Sequence, residues 1–308
     1  MTDQRINLQH TPAPAGVTAA AVTFTSDGVP LRGTLFRPAN AAGPLPSVIV
    51  TGAWTTVKEQ MVGTYARELG ARGLVALAFD FTGWGESGGE PRYVEDPTVK
   101  TADIHAAADY MAGRDDVEAG RLSGLGVCAS SGYMADAVAN DDAFSALALV
   151  APWLHDPRMA EGIYGGPEAA AGLIAASEAA ESSQEPKILV AASTDDDTAP
   201  MYQAPYYTEE DRGLIAEYDN KFSLLTWKPW LTYDAQASAE RLAKPVLMVG
   251  SSGMALPAGA EAYERRMRAP LEKIWFGDDV SQFDFYDRAD IVSTAADAVA
   301  SFLNEQAP

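Results

Sequence analysis

The sequence predicts an α/β fold: a mostly parallel, eight-stranded sheet with helices on both faces and a helical insertion near its middle. Three observations predict it. Short apolar runs alternate with helical patterns, as strands covered on both faces require. The alternation breaks at Pro152 and resumes near Pro245. The chain has 308 residues, 47 % of them apolar, enough for one large core with an insertion.

The elements follow in order. Residues 1–18 are polar and proline-containing and read as a flexible arm. Runs at 20–25 and 30–37 flank Asp27-Gly28, a hairpin signal. Pro46–Thr51 is the next run, followed by a helical pattern over 58–72. Leu74–Phe79 leads into a Gly-rich loop, Gly83 to Gly89, and a helix at 97–113. Arg121–Val127 runs straight into a helix at 129–140, and Ala143–Val150 follows. Residues 152–242 read as irregular helices, Ala-rich at 168–180. Pro245–Val249, a helix at 258–268, Leu271–Phe276 and a helix at 289–304 complete the pattern. The expected organisation is an arm (1–18), a core (19–151 and 243–308) and a cap (152–242). Such a cap would cover the C-terminal edge of the strands, where open α/β sheets bind ligands.

Composition narrows the function. Against 22 basic residues stand 43 acidic ones, a net charge of −21. That field repels nucleic acid and anionic lipid, so neither is an expected partner. No stretch is apolar and long enough to span a membrane. Residues 1–17 lack the pattern of a secretory signal. One cysteine excludes an internal disulfide, and with three histidines it makes a poor zinc site. A cytoplasmic protein with no metal and no cofactor is expected. Its expected partner is a small-molecule substrate, with self-association as a homodimer left open.

The most informative segment is Leu125-Gly126-Val127-Cys128-Ala129-Ser130-Ser131-Gly132. It leaves a strand and opens a helix, which is the setting of a nucleophile elbow. Small residues at 126, 129 and 130 suit so crowded a turn. Asp80-Phe81-Thr82-Gly83-Trp84-Gly85-Glu86-Ser87 follows the fourth expected strand, and Thr51-Gly52-Ala53-Trp54 follows the third. With these motifs the chain resembles the α/β-hydrolase superfamily over residues 20–304. It is most similar to the dienelactone-hydrolase-like branch, in which a Lys-Glu-Gln run, here Lys58-Glu59-Gln60, opens the first core helix. The resemblance implies Cys128 as nucleophile, Ala129 N–H as one oxyanion donor and Ala53 or Trp54 N–H as the other.

It also implies partners that this sequence lacks. The loop after the last strand, Gly277 to Asp287, holds no histidine, and the family's position falls on Gln282, whose amide cannot take up a proton. The acid's place reads Gly250-Ser251-Ser252-Gly253. Of the three histidines, His10 lies in the arm and His105 on a helix surface. His155 follows the strand next to the elbow strand, about 4.8 Å away, so it is the candidate base, with Asp156 or Asp80 to orient it. Trp54, Trp153, Trp227, Trp230, Tyr233 and Phe283 fall in segments expected to line the cleft, with Asp234 and Tyr286 as polar anchors. The substrate expected is a small apolar or aromatic ester, thioester or lactone. The alternatives are a lyase, isomerase or cyclase on the same scaffold, or a binding protein without catalysis.

Overall fold

The computed structural model describes residues 4–8, 15–183 and 186–306. The strands are β1 (Val17–Ser26), β2 (Val29–Pro38), β3 (Leu45–Thr51), β4 (Val75–Phe79), β5 (Val117–Val127) and β6 (Phe144–Val150), then the short β7 (Ile188–Val190), β8 (Ala192–Ser193), β9 (Met201–Tyr202) and β10 (Lys221–Ser223), and finally β11 (Val246–Gly253) and β12 (Leu271–Ser281). Eight of them form one sheet in the order β1-β2-β4-β3-β5-β6-β11-β12. The β1–β2 hairpin is antiparallel, as is its junction with β4; every other pairing is parallel. The hairpin turns on Asp27 and Gly28, both at positive φ. Runs such as Val75–Phe79 and Ala146–Val150 are buried throughout, because helices cover both faces.

The helices are α1 (Met61–Ala71), α2 (Pro97–Ala112), α3 (Ser130–Asn140), α4 (Pro157–Ile163), α5 (Pro167–Glu181), α6 (Trp227–Leu231), α7 (Pro257–Arg266), α8 (Asp284–Asp287) and α9 (Ala289–Glu305). Helices α1 and α9 pack on one another, and so do α2 and α3. Local chemistry starts them. Asp96 caps α2 by accepting the Thr98 N–H, with Pro97 in the first turn, and Asp156 caps α4 by accepting the Met159 N–H, with Pro157 behind it.

Three features differ from the sequence reading. Residues 4–8, within the expected flexible arm, lie against the core: Arg5 pairs with Asp287, and Ala289 N–H donates to Gln4 O. His10 lies outside the described residues. The 152–242 segment carries three helices and four short strands rather than helices alone, because the apolar run Ile188–Val190 pairs with Lys221–Ser223. Strand β12 continues to Ser281, five residues past the expected end, and pairs again with β11 at Gly253↔Ser281. The close approach needs glycine, since a Cβ on Gly253 would fall 2.4 Å from Asp278 O.

The strand order β3-β5-β6 places the loops after β3 and β6 on either side of the β5 end. Among the described residues, no helix is long and apolar enough to cross a membrane, and no group of acidic, histidine or cysteine side chains could hold a metal ion.

Candidate active site

Cys128 sits between β5 and α3 with φ at 59°, a left-handed conformation that a side chain occupies only under constraint. The constraint is visible. Cys128 N–H donates to Val150 O at 3.1 Å, and Cys128 O accepts from Trp153 N–H at 2.9 Å and Ser131 N–H at 3.1 Å. Gly126 makes the turn: a Cβ there would lie 2.7 Å from Ser131 Cα. The thiol is thereby held over the sheet edge, at the start of α3.

Three donors act on the ionisation of the sulfur: the Tyr286 hydroxyl and the backbone N–H groups of Ala129 and Trp54. Of Ala53 and Trp54, the two candidates for the second backbone donor, it is the Trp54 N–H that acts on the sulfur. These donors favour the thiolate, but burial outweighs them and pushes the thiol up to about 11. At neutral pH Cys128 is a protonated thiol.

His155, the candidate base, has both ring nitrogens in hydrogen bonds. Its Nδ1 accepts the Trp153 Nε1–H at 3.0 Å, which leaves Nε2–H to donate to Trp230 O at 3.0 Å. Both ring nitrogens are committed, and burial holds the imidazole below its usual value. His155 is a neutral strut between two tryptophans. Asp156 is the α4 cap, and Asp80 is equally occupied: it accepts from Lys58 N–H, Lys58 Nζ and Glu86 N–H at 2.7, 2.8 and 3.0 Å, away from the pocket. Burial raises its carboxyl although Lys58 opposes this. Ser251 donates to Val280 O and Ser252 accepts from Trp275, so the family's acid position is spent on the β11–β12 junction.

Gln282 stands at the pocket but acts at one remove. Its Oε1 accepts Ala255 N–H at 3.0 Å, and its Nε2 donates to Ala151 O and to the Tyr286 hydroxyl, both at 2.9 Å. The Tyr286 oxygen thus accepts a hydrogen bond from Gln282, which leaves its own O–H to donate one to Cys128. Burial drives the phenols of Tyr286 and Tyr207 well above the normal range, so both are neutral donors.

These groups open on a cavity of about 270 Å³. Trp54, Cys128, Ala129, Trp153, Trp230, Gln282, Phe283 and Tyr286 line it, as the sequence reading expects. Trp227 and Tyr233 do not. Trp227 packs behind Trp54 and Tyr164, and the Tyr233 hydroxyl turns away to Asp136 at 2.7 Å. Asp234 is spent on a turn, accepting Gln236 N–H. Tyr164, Tyr207 and Met201 complete the wall from the inserted segment. Sequence reasoning missed them because residues 152–242 carry no motif. Among the described residues, no charged one lines the cavity.

No protein-family model matches the chain. The chain is 29 % identical to the uncharacterized protein YcjY of Escherichia coli over 263 residues, 81 % of this chain and 85 % of the relative. Over 132 residues it is 39 % identical to the uncharacterized protein PA2218 of Pseudomonas aeruginosa, covering 42 % of this chain and 36 % of the other. A thiohydrolase of Eupenicillium brefeldianum is 34 % identical over 117 residues, 38 % of this chain and 37 % of the relative. The chain spans little more than a third of the length of these last two in sequence. The crystal structure of PA2218 superposes over 96 % of both chains with a TM-score of 0.86 and 25 % identity. The α/β hydrolase GrgF from a Penicillium species superposes over 94 % of this chain and 99 % of its own, with a TM-score of 0.81 and 21 % identity. The chain has the α/β-hydrolase fold.

Proposed function

We propose that the protein is an acyl-transfer enzyme that accepts a small apolar or aromatic acyl group from a thioester onto Cys128 and passes it to water or another nucleophile. One observation carries this reading. The Cys128 sulfur stands at a strained elbow apex at the start of α3, where the N–H groups of Ala129 and Trp54 favour its thiolate. A substrate carbonyl oxygen drawn into the same N–H pair would be stabilised as it becomes negative.

The missing imidazole favours a thioester over an alkyl ester. A thiol ionises near pH 8.5, whereas water, and an alcohol with it, ionises near 15.7. A thiolate therefore departs without a general acid, and an alkoxide does not. In the exchange, the Cys128 Sγ–C bond forms, the substrate C–S bond breaks, and the thiol proton passes to the departing sulfur. The products are acyl-Cys128 and a free thiol. The uncharged cavity, at the small end of ligand pockets, suits a neutral acyl chain or ring. The similarity to a thiohydrolase points the same way.

Intact-mass analysis tests this. The protein is incubated with N-acetylcysteamine thioesters of small aliphatic and aromatic acids, beside the matching alkyl esters and lactones. The expected result is a mass gain of one acyl group on Cys128, faster from thioester than from alkyl ester, and none in Cys128→Ala. Consumption of thioester without an adduct, at equal rate in Cys128→Ala, would overturn it.

A second reading has one observation in its favour. Burial keeps Cys128, Tyr207 and Tyr286 protonated, so the pocket offers neutral donors around an oxyanion hole. That suits an enolate in a lyase, isomerase or cyclase. Under this reading Cys128→Ala retains part of its turnover.

A further inference from the structure

The oxyanion side of the pocket stands on a buried ion pair that the chemistry above does not use. Glu95, just before α2, is fully enclosed. Its Oε2 accepts the Thr55 N–H at 3.0 Å. Its Oε1 accepts from Lys100 Nζ at 2.6 Å and from the Tyr133 hydroxyl at 3.0 Å. Lys100 is 2 % exposed and lies 4.7 Å over the Phe81 ring and 4.9 Å over the Trp84 ring. Enclosing such a pair is expensive, and apolar residues of similar volume often stabilise a fold as well or better. Packing alone does not account for it.

Its other bonds do. Thr55 directly follows Trp54 and has φ at 64°, which a β-branched residue rarely adopts. Tyr133 is on α3, one turn beyond Ala129. A single carboxylate therefore grips the residue after one oxyanion donor and the helix that the other donor opens. We propose that Glu95 is a positioning residue: it sets the gap and aim of the Trp54 and Ala129 N–H groups, and Lys100 balances its charge beside the site. This rests on the assignment of those two groups as the oxyanion hole.

Two double variants of the full chain separate bonding from charge. Glu95→Leu with Lys100→Met removes the pair and the acceptor for Thr55. Glu95→Gln with Lys100→Met removes the same charges but leaves an amide oxygen for Thr55 and an amide N–H for Tyr133. The first readout is alkylation of Cys128 by iodoacetamide at pH 9, which senses the N–H groups acting on the thiolate and needs no turnover. The second is the rate and KM of acylation by the thioester that labels the wild type.

Expected for the Leu variant is alkylation several-fold slower and acylation slower by about tenfold or more, with KM within twofold. The Gln variant stays within about threefold of wild type on both, since its acceptor is kept. The inference is overturned if the Leu variant matches wild type, or if both variants slow equally. If the Leu variant does not fold, Tyr133→Phe, which cuts the α3 arm alone, is read in its place by the same criteria, with a smaller slowing. Should no thioester acylate the wild type, the acyl-transfer reading fails, and the alkylation comparison still decides the role of Glu95.

Discussion

Toward β3, the Cys128 sulfur lies by backbone N–H groups, and behind them the buried Glu95–Lys100 pair holds the Thr55 N–H. Toward β12 it meets a phenol held by an amide, and after the neighbouring β6 stands a histidine whose two nitrogens are both hydrogen-bonded. One flank is built to receive negative charge. On the other, the described residues that line the cavity include no carboxylate and no histidine. The difference teaches that a strained elbow with N–H groups on one side can stand without a free imidazole on the other. On the acyl-transfer reading proposed above, the departing thiolate takes up the proton.

Experiments that break or sharpen this contrast can be ordered by size. Cys128→Ala should abolish the acyl adduct entirely while the melting temperature changes little, since the thiol is a small buried group; mass analysis and calorimetry read the two. Next, native Cys128 should react with iodoacetamide on the order of a hundredfold more slowly at pH 8 than the same thiol in denaturant, because burial holds it at about 11 against about 8.5 for a free thiol. Equal rates would mean that an unseen base activates the sulfur.

On the neutral flank, His155→Phe strands the Trp153 indole N–H and the Trp230 carbonyl, and should cost about 2 kcal/mol of stability in denaturant titration. The sign with pH follows from the lowered imidazole. The unfolded chain takes up a proton as pH falls below 6.5 and the folded chain does not. The contribution of His155 is therefore complete above about pH 6.5 and shrinks below it, so wild type and variant should converge in acid. Convergence in base instead would put a charged His155 in the fold. The smallest effect belongs to Tyr286→Phe, which removes one donor from the sulfur and should slow alkylation at pH 9 by about threefold; no change would mean that the phenol does not act on Cys128.

Much of the site was legible because it follows strand ends. The elbow residues Gly126 to Ser131, the Trp54 loop and Gln282 all carry local signals: small residues at a tight turn, an apolar run before it, a helix after it. His155 was misjudged for a physical reason. Sequence placed it after the right strand, but whether an imidazole serves as base depends on what holds its two nitrogens, and both partners, Trp153 and the Trp230 carbonyl, come from the cap junction. Tyr207 and Glu95 had no local signature, since their roles arise only where separate segments meet.

The sequence by itself determined the α/β sheet, the place of the insertion, the strained apex at Cys128 and the lack of a histidine after the last strand. Those depend on neighbours along the chain, through hydrophobic period, turn sterics and residue type. Only the tertiary structure decided that the Trp54 N–H acts on the sulfur, that both nitrogens of His155 and both oxygens of Asp80 are taken by hydrogen bonds, that Gln282 donates to the Tyr286 hydroxyl, and that Glu95 accepts from both Thr55 and Tyr133. Each of those is a hydrogen-bond choice between groups remote in sequence, and no local pattern specifies a partner that the chain must fold to reach.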